Sequence, residues 1–259
     1  MESRYRQEVS NFRKKDVIIA LCVFFGYIIF ITAVVAIRGA LSVSWQLDAL
    51  ITIATTAFPA AIVFLIVLRN KQGLSSIGLH KEKIWSAARL GLLFCLIPIL
   101  FIAVIPGVSG GFNELLVGAL LVNLVTTFFF AAHEDVIFVG FIQTRLYGFL
   151  KTDKAAIPAG AFLFALMHVP PWLMMGRFDA DNLLVGIIQA FLAWFLMHLI
   201  FVSVFKKYHS LIPVFILHTV HNFSWNFAQT SFVRGIDFSF IMLLLYALAA
   251  GILFWRTRK

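Results

Sequence analysis

Eight stretches of mostly apolar residues, each 18 residues or longer, follow one another along this 259-residue chain with short polar gaps between them. About 20 helical residues at 1.5 Å rise match a hydrocarbon layer roughly 30 Å thick, so each stretch reads as a membrane-spanning helix. They run over Val17–Ile37, Leu47–Leu68, Ala87–Ile105, Leu115–Phe149, Ala155–Met175, Leu183–Phe205, Leu211–Gln229 and Phe238–Trp255. With 61% apolar and 13% charged residues, the composition cannot clothe a water-exposed surface, which takes about a quarter charged residues. The expected fold is an all-α polytopic membrane bundle, one integral domain over 1–259 with its chemistry-bearing core at about 115–229.

The charge pattern orients this bundle. Of 21 Lys and Arg, 18 fall on one side of the eight-span arrangement, and only Arg38, Arg177 and Arg234 fall on the other. The positive-inside rule then predicts both termini in the cytoplasm. The net charge of +9 sits at span ends, where anionic lipid is its natural partner, and no nucleic acid is needed to explain it. The first span exceeds the apolar run of a signal peptide and is followed directly by Arg38, so it reads as a span rather than a cleaved leader. Loop 70–83 is a connector on the basic side. Cys22 and Cys95 lie inside spans without metal or redox spacing.

Ten of the twelve acidic residues lie in loops or at span ends; Glu134 and Asp135 lie within the fourth span. An acidic residue at the centre of a span costs roughly 2.5–3.5 kcal/mol, several times what one Leu or Phe returns. Adjacent carboxylates there call for a polar cavity. Asn123, Thr127 and Glu134 recur at helical spacing and share one face, with Asp135 about 100° round the helix and His133 on another side. The fifth span carries Phe164 and His168 one turn apart, followed by Pro170-Pro171, which cannot donate to the carbonyls of Leu166 and Met167. Such carbonyls are tolerated at membrane depth only beside protein or water, so a break beside a hydrated cavity is expected there. In the seventh span His218, His221 and Asn222 fall at i, i+3 and i+4. His198, Gln189, Ser224 and Asn226 read as interhelical hydrogen-bonding groups.

A carboxylate pair, a histidine and a His/Asn face are the parts of a peptide hydrolase without a covalent nucleophile. Glu134 would take a proton from water, His168 would help hold that water, and His218 with Asn222 would donate to an oxyanion. No GxSxG elbow is present. The run from His133 to Ile137 begins like HExxH but has Ile137 where the second histidine belongs. No cofactor is therefore expected, with zinc on Glu134, His168 and His218 as the minority reading. The adjacent carboxyls should titrate as a coupled unit, and activity should fall on the acid side, because the base must be ionised.

The three segments resemble the three motifs of the CPBP family, the CAAX prenyl endopeptidases and bacteriocin-processing proteins, also called Abi. The family pattern is EExxxR, FxxxH and HxxxN. Here the second motif is Phe164-Ala165-Leu166-Met167-His168 and the third is His218-Thr219-Val220-His221-Asn222. The first departs, with Asp135 for the second Glu and Val139 for the Arg; Arg145 lies too far along to replace it. The resemblance implies an eight-helix intramembrane glutamate protease in which Glu134 and His168 activate water and His218 and Asn222 stabilise the oxyanion. Asp135, Phe164 and His221 stand as supporting or substrate-binding residues.

The expected function is thus an intramembrane endopeptidase that cuts a peptide or membrane-protein substrate near the cytoplasmic face of the cell membrane, with lipids as its surroundings. Family substrates include prenylated CAAX proteins and bacterial peptide leaders. The alternative is a non-catalytic protein of the same fold, a bacteriocin-immunity factor or a scaffold for a partner membrane enzyme. A small transporter with Glu134 and His168 as proton relays is a third reading, but the inverted repeats it would need are not seen.

Overall fold

A computed structural model describes residues 4–40, 44–109, 117–176, 178, 181–230, 244, 245 and 248. The described residues form helices and turns only, so the chain is an all-α polytopic membrane bundle. A short helix α1 (Arg4–Ser10) precedes α2 (Lys14–Ala40) and α3 (Trp45–Arg69). A single 3-10 turn (Leu74–Ile77) lies in the connector to α4 (Ile84–Ser109). Then come α5 (Val117–Glu134), a π-helical segment (Asp135–Ile142), α6 (Gln143–Arg145) and α7 (Tyr147–Leu150). The long helices α8 (Asp153–Met174), α9 (Leu183–Tyr208) and α10 (Ile212–Thr230) follow.

Five helical stretches are long and apolar enough to cross a membrane: Lys14–Ala40, Gln46–Arg69, Leu121–Leu150, Asp153–Met174 and Leu183–Tyr208. Shorter apolar helices over Ile84–Leu96 and Ile212–Phe223 stand where the third and seventh spans were expected, and the eighth, Phe238–Trp255, falls almost wholly outside the described residues. Large apolar side chains such as Phe25, Ile29, Leu65, Leu184 and Leu192 point outward, as a lipid-facing surface requires. Inside, α10 packs on α4 and α5, α8 on α9 and α2, and α3 on α5, so the long central stretch is walled by its neighbours.

Two expectations about local geometry are corrected. The fourth span is not one regular α-helix. From Asp135 it widens into the π-segment, whose end is marked by the Gln143 N–H reaching back five residues to the Phe138 carbonyl. A π-turn holds more residues per turn than an α-turn, so side chains beyond Glu134 drift off the 100° spacing that places them on an α-helix. Second, the double proline does not interrupt the fifth span: α8 runs through Pro158, Pro170 and Pro171 to Met174. Proline omits one donor without ending a helix that its neighbours hold in place, so the histidine beside it sits on continuous helix.

Packing along the π-segment is close. A Cβ on Gly140 would stand 2.8 Å from the Ile77 carbonyl oxygen, so only glycine lets the 3-10 turn of the connector rest against the helix here. Two further bonds hold the connector to the turn after α9: His80 Nε2 donates to the His209 carbonyl at 2.8 Å and His209 Nε2 donates to the Ser75 carbonyl at 2.8 Å. At the same end α1 buries Tyr5 against Tyr147 and Phe205, while Arg6 and Lys206 both pair with Asp153.

Candidate functional site

Glu134 closes α5, Asp135 opens the π-segment, His168 projects from α8 and His218 from α10; these four side chains meet inside the bundle. Both carboxyl side chains are almost completely buried, as is His218, whereas His168 retains 14% of its side-chain surface.

Each imidazole is held through its Nδ1. His168 Nδ1 lies 2.8 Å from the Phe164 carbonyl, which only accepts, so Nδ1 carries the proton and Nε2 bears a lone pair. His218 Nδ1 lies 2.9 Å from Asp135 Oδ1, a hydrogen bond between the imidazole and the carboxyl group. Both Nε2 atoms face Glu134 Oε2, at 4.0 Å from His168 and 3.7 Å from His218. These separations exceed a direct hydrogen bond. They match one shared oxygen instead: two bonds of about 2.8 Å to a common atom span this range when they meet at roughly 80–90°. Glu134 Oε2 and Asp135 Oδ2 are buried without a hydrogen-bond partner among the described residues.

Aromatic rings hold the imidazoles in place. Trp194 stacks on His168 with centroids 4.5 Å apart and planes 15° from parallel, and Phe201 covers His218 at 4.6 Å. Phe164, the first residue of the second motif, touches His168 edge-on at 4.8 Å and stacks on His198 at 4.9 Å. It thus orients His168 through both its ring and its carbonyl. Asn222 stands one turn beyond His218 on α10, half-buried, and shares no hydrogen bond with the four central residues among the described contacts. His221 is buried on the same helix.

Several partners were not legible from spacing. Tyr27 on α2 donates its hydroxyl proton to His133 Nε2 at 2.8 Å, which ties the residue before Glu134 to a helix more than 100 positions earlier. His198 donates to Gln143 Oε1 at 3.2 Å, and Gln143 in turn donates to the Ala156 carbonyl at 3.0 Å, consistent with the interhelical role read for His198. Apart from the aromatic character of Tyr27, Trp194 and Phe201, no local signal marks these residues, because each acts across helices. Val139, where the family pattern has arginine, is fully buried and apolar. Arg145 lies in a separate cage, described below. Among the described residues, no group of three or more His, Cys, Asp and Glu side chains is arranged to hold a metal ion.

Comparison with known families gives one match. Residues 114–224 match the family described as type II CAAX prenyl endopeptidase Rce1-like. No curated protein and no solved structure matches. The matched stretch holds Glu134, Asp135, Phe164, His168, His218, His221 and Asn222, and over it the CPBP resemblance is borne out. At the coarse level this is an integral membrane protein whose stretch 114–224 is similar to a CAAX-protease family.

Proposed function

We propose that the Rce1-like stretch makes this chain an intramembrane endopeptidase that hydrolyses a peptide bond of a prenylated peptide or membrane-protein substrate. One observation carries the reading: a buried carboxyl oxygen, Glu134 Oε2, without a hydrogen-bond partner among the described residues and faced by two imidazole Nε2 atoms at 3.7 and 4.0 Å. A water lying among these atoms would give one hydrogen to Glu134 and the other to His168 Nε2. Its oxygen lone pair would then be turned toward a substrate carbonyl. Glu134 is the general base, His168 fixes the water, and the α10 residues His218 and Asn222 face the carbonyl being attacked. The excess of basic residues on one side favours a site worked from the cytoplasmic face of the cell membrane.

The observation favouring a non-catalytic scaffold is Val139, which supplies no cation to the first motif. The geometry at Glu134 weighs more, because a polar core kept only for packing would be expected to satisfy its buried oxygens.

The test compares wild type with Glu134→Ala and His168→Ala for processing of prenylated and leader-bearing membrane substrates in cells. Processing should be lost in both variants at unchanged protein level, and a metal chelator should leave wild-type cleavage intact. Normal processing by both variants would establish the scaffold reading; chelator-sensitive cleavage with bound zinc in the purified protein would move the chemistry to a metal.

A further inference from the structure

Helix α9 carries its own pair of rings at the spacing of the motif it faces. On α8 Phe164 and His168 stand four residues apart, and on α9 so do Trp194 and His198. The two pairs interlock. Trp194 stacks on His168 at 4.5 Å with planes 15° apart, and His198 stacks on Phe164 at 4.9 Å with planes 29° apart. Because position 164 meets 198 and 168 meets 194, the helices pass each other antiparallel here. The run Trp194-Phe195-Leu196-Met197-His198 thus answers Phe164-Ala165-Leu166-Met167-His168 rung for rung.

The rung formed by Phe164 and His198 is held from behind. Gln143, at the start of α6, donates its amide to the Ala156 carbonyl at 3.0 Å, so its Oε1 is left to accept the His198 Nε2 proton at 3.2 Å. Gln143 and His198 are 0% exposed and Phe164 1%. Helix α8 makes room for the amide with a glycine: a Cβ on Gly160 would overlap Gln143 Oε1 and stand 3.3 Å from His198 Nε2. Ala156, Gly160, Phe164 and His168 follow one another at four-residue steps, so a carbonyl, a gap, a ring and an imidazole succeed each other along α8. Phe138 and Phe201 box Phe164 in edge-on at 5.5 and 6.3 Å, and Phe201 goes on to cover His218.

Resting on the endopeptidase reading, we propose that His198 is a positioning residue for His168: pinned by Gln143, its ring backs Phe164, and Phe164 in turn fixes the imidazole that holds the hydrolytic water. Phe164 acts on His168 twice, through its carbonyl at 2.8 Å and through its ring edge at 4.8 Å. A shift of Phe164 is therefore passed on to His168 Nε2, which stands 4.0 Å from Glu134 Oε2. Misplacing a reacting group by about 1 Å costs about 10²-fold in rate. His198 is fully buried behind Phe164, so its loss acts on turnover and leaves substrate binding unchanged.

The experiment uses the full chain in proteoliposomes with an internally quenched farnesylated CAAX peptide, and rates are referred to the folded fraction measured by thermal melt and gel filtration. His198→Ala should lower kcat by about 30–100-fold while KM stays within about threefold of wild type. His198→Phe, which keeps a ring against Phe164, should bring kcat back to within about tenfold of wild type. If His198→Ala does not yield folded protein, Gly160→Ala carries the same test. Its methyl displaces Gln143, so it should give the same selective fall in kcat although alanine is the better helix former. Full activity in the tested variant, a change that falls on KM instead of kcat, or no recovery with His198→Phe overturns the positioning role and leaves the endopeptidase reading standing. Failure of folded wild type to cleave the peptide defeats that reading and the positioning role with it.

Discussion

Ten residues apart on one helical stretch, Asp135 and Arg145 are both buried ionisable groups, and the chain treats them in opposite ways. Arg145, 1% exposed, makes five hydrogen bonds: Nη1 to the Ser76 carbonyl, the Gly140 carbonyl and Thr144 Oγ1, and Nη2 to Gln72 Oε1 and Ser76 Oγ. Its guanidinium lies between the rings of Phe12 and Phe141, at 4.4 and 4.3 Å, leaving only Nε without a hydrogen bond. Gln72 passes the contact on to Asp16 at 3.1 Å, and Asp16 also accepts from the Arg13 backbone N–H at 2.8 Å, at the start of α2. One charge thereby joins the α1–α2 junction, the connector and the π-segment. The carboxylates at the other end of that segment keep oxygens unpaired. A charge satisfied by the fold is a structural tie, whereas one left unsatisfied costs stability and is ready to bind something else.

The comparison breaks most visibly at Arg145. Arg145→Met should lower unfolding stability by about 3–5 kcal/mol, because it strands several buried acceptors at once and removes the tie between elements. A thermal melt in detergent reads this as a large fall in Tm, and a Tm within a degree or two of wild type would remove the structural role.

A smaller effect sharpens the same contrast at the connector. Burial holds His209 down to about 4, with His80, Arg4 and Arg145 adding repulsion that outlasts the raising effect of the Ser75 carbonyl. Its free value is about 6.5, so between these limits the unfolded chain binds more protons than the folded one. Stability contributed by neutral His209 is full above about pH 6.5 and falls as the pH drops toward 4, by at most about 3 kcal/mol. His209→Gln should flatten that part of the stability–pH curve. An unchanged slope in the variant would assign the effect to another group.

The motif residues were readable because their chemistry is conspicuous: acids and histidines inside apolar spans must converge on something polar, and Glu134, Asp135, His168 and His218 do converge. How they converge was not readable. The run Asp135-Val136-Ile137-Phe138 carries no mark that separates a π-turn from an α-turn, yet that turn begins at the residue that reaches His218. Tyr27 with His133, Trp194 with His168, and the Arg145 cage all join positions far apart in sequence, and hydrophobic periodicity is blind to such pairs. Helix α1 lay within what read as a basic flank; Tyr5 and Val9 bury one face of it, too short a run to stand out.

The most direct measurement pairs cleavage of the quenched farnesylated peptide with the thermal melt on the same preparation of Glu134→Gln. Cleavage should fall by at least about 10³-fold while Tm stays level or rises, since the change removes a buried charge and leaves the Arg145 tie intact. Cleavage within tenfold of wild type, or a loss that comes only with a fall in Tm like that of Arg145→Met, would contradict a catalytic carboxylate at this position.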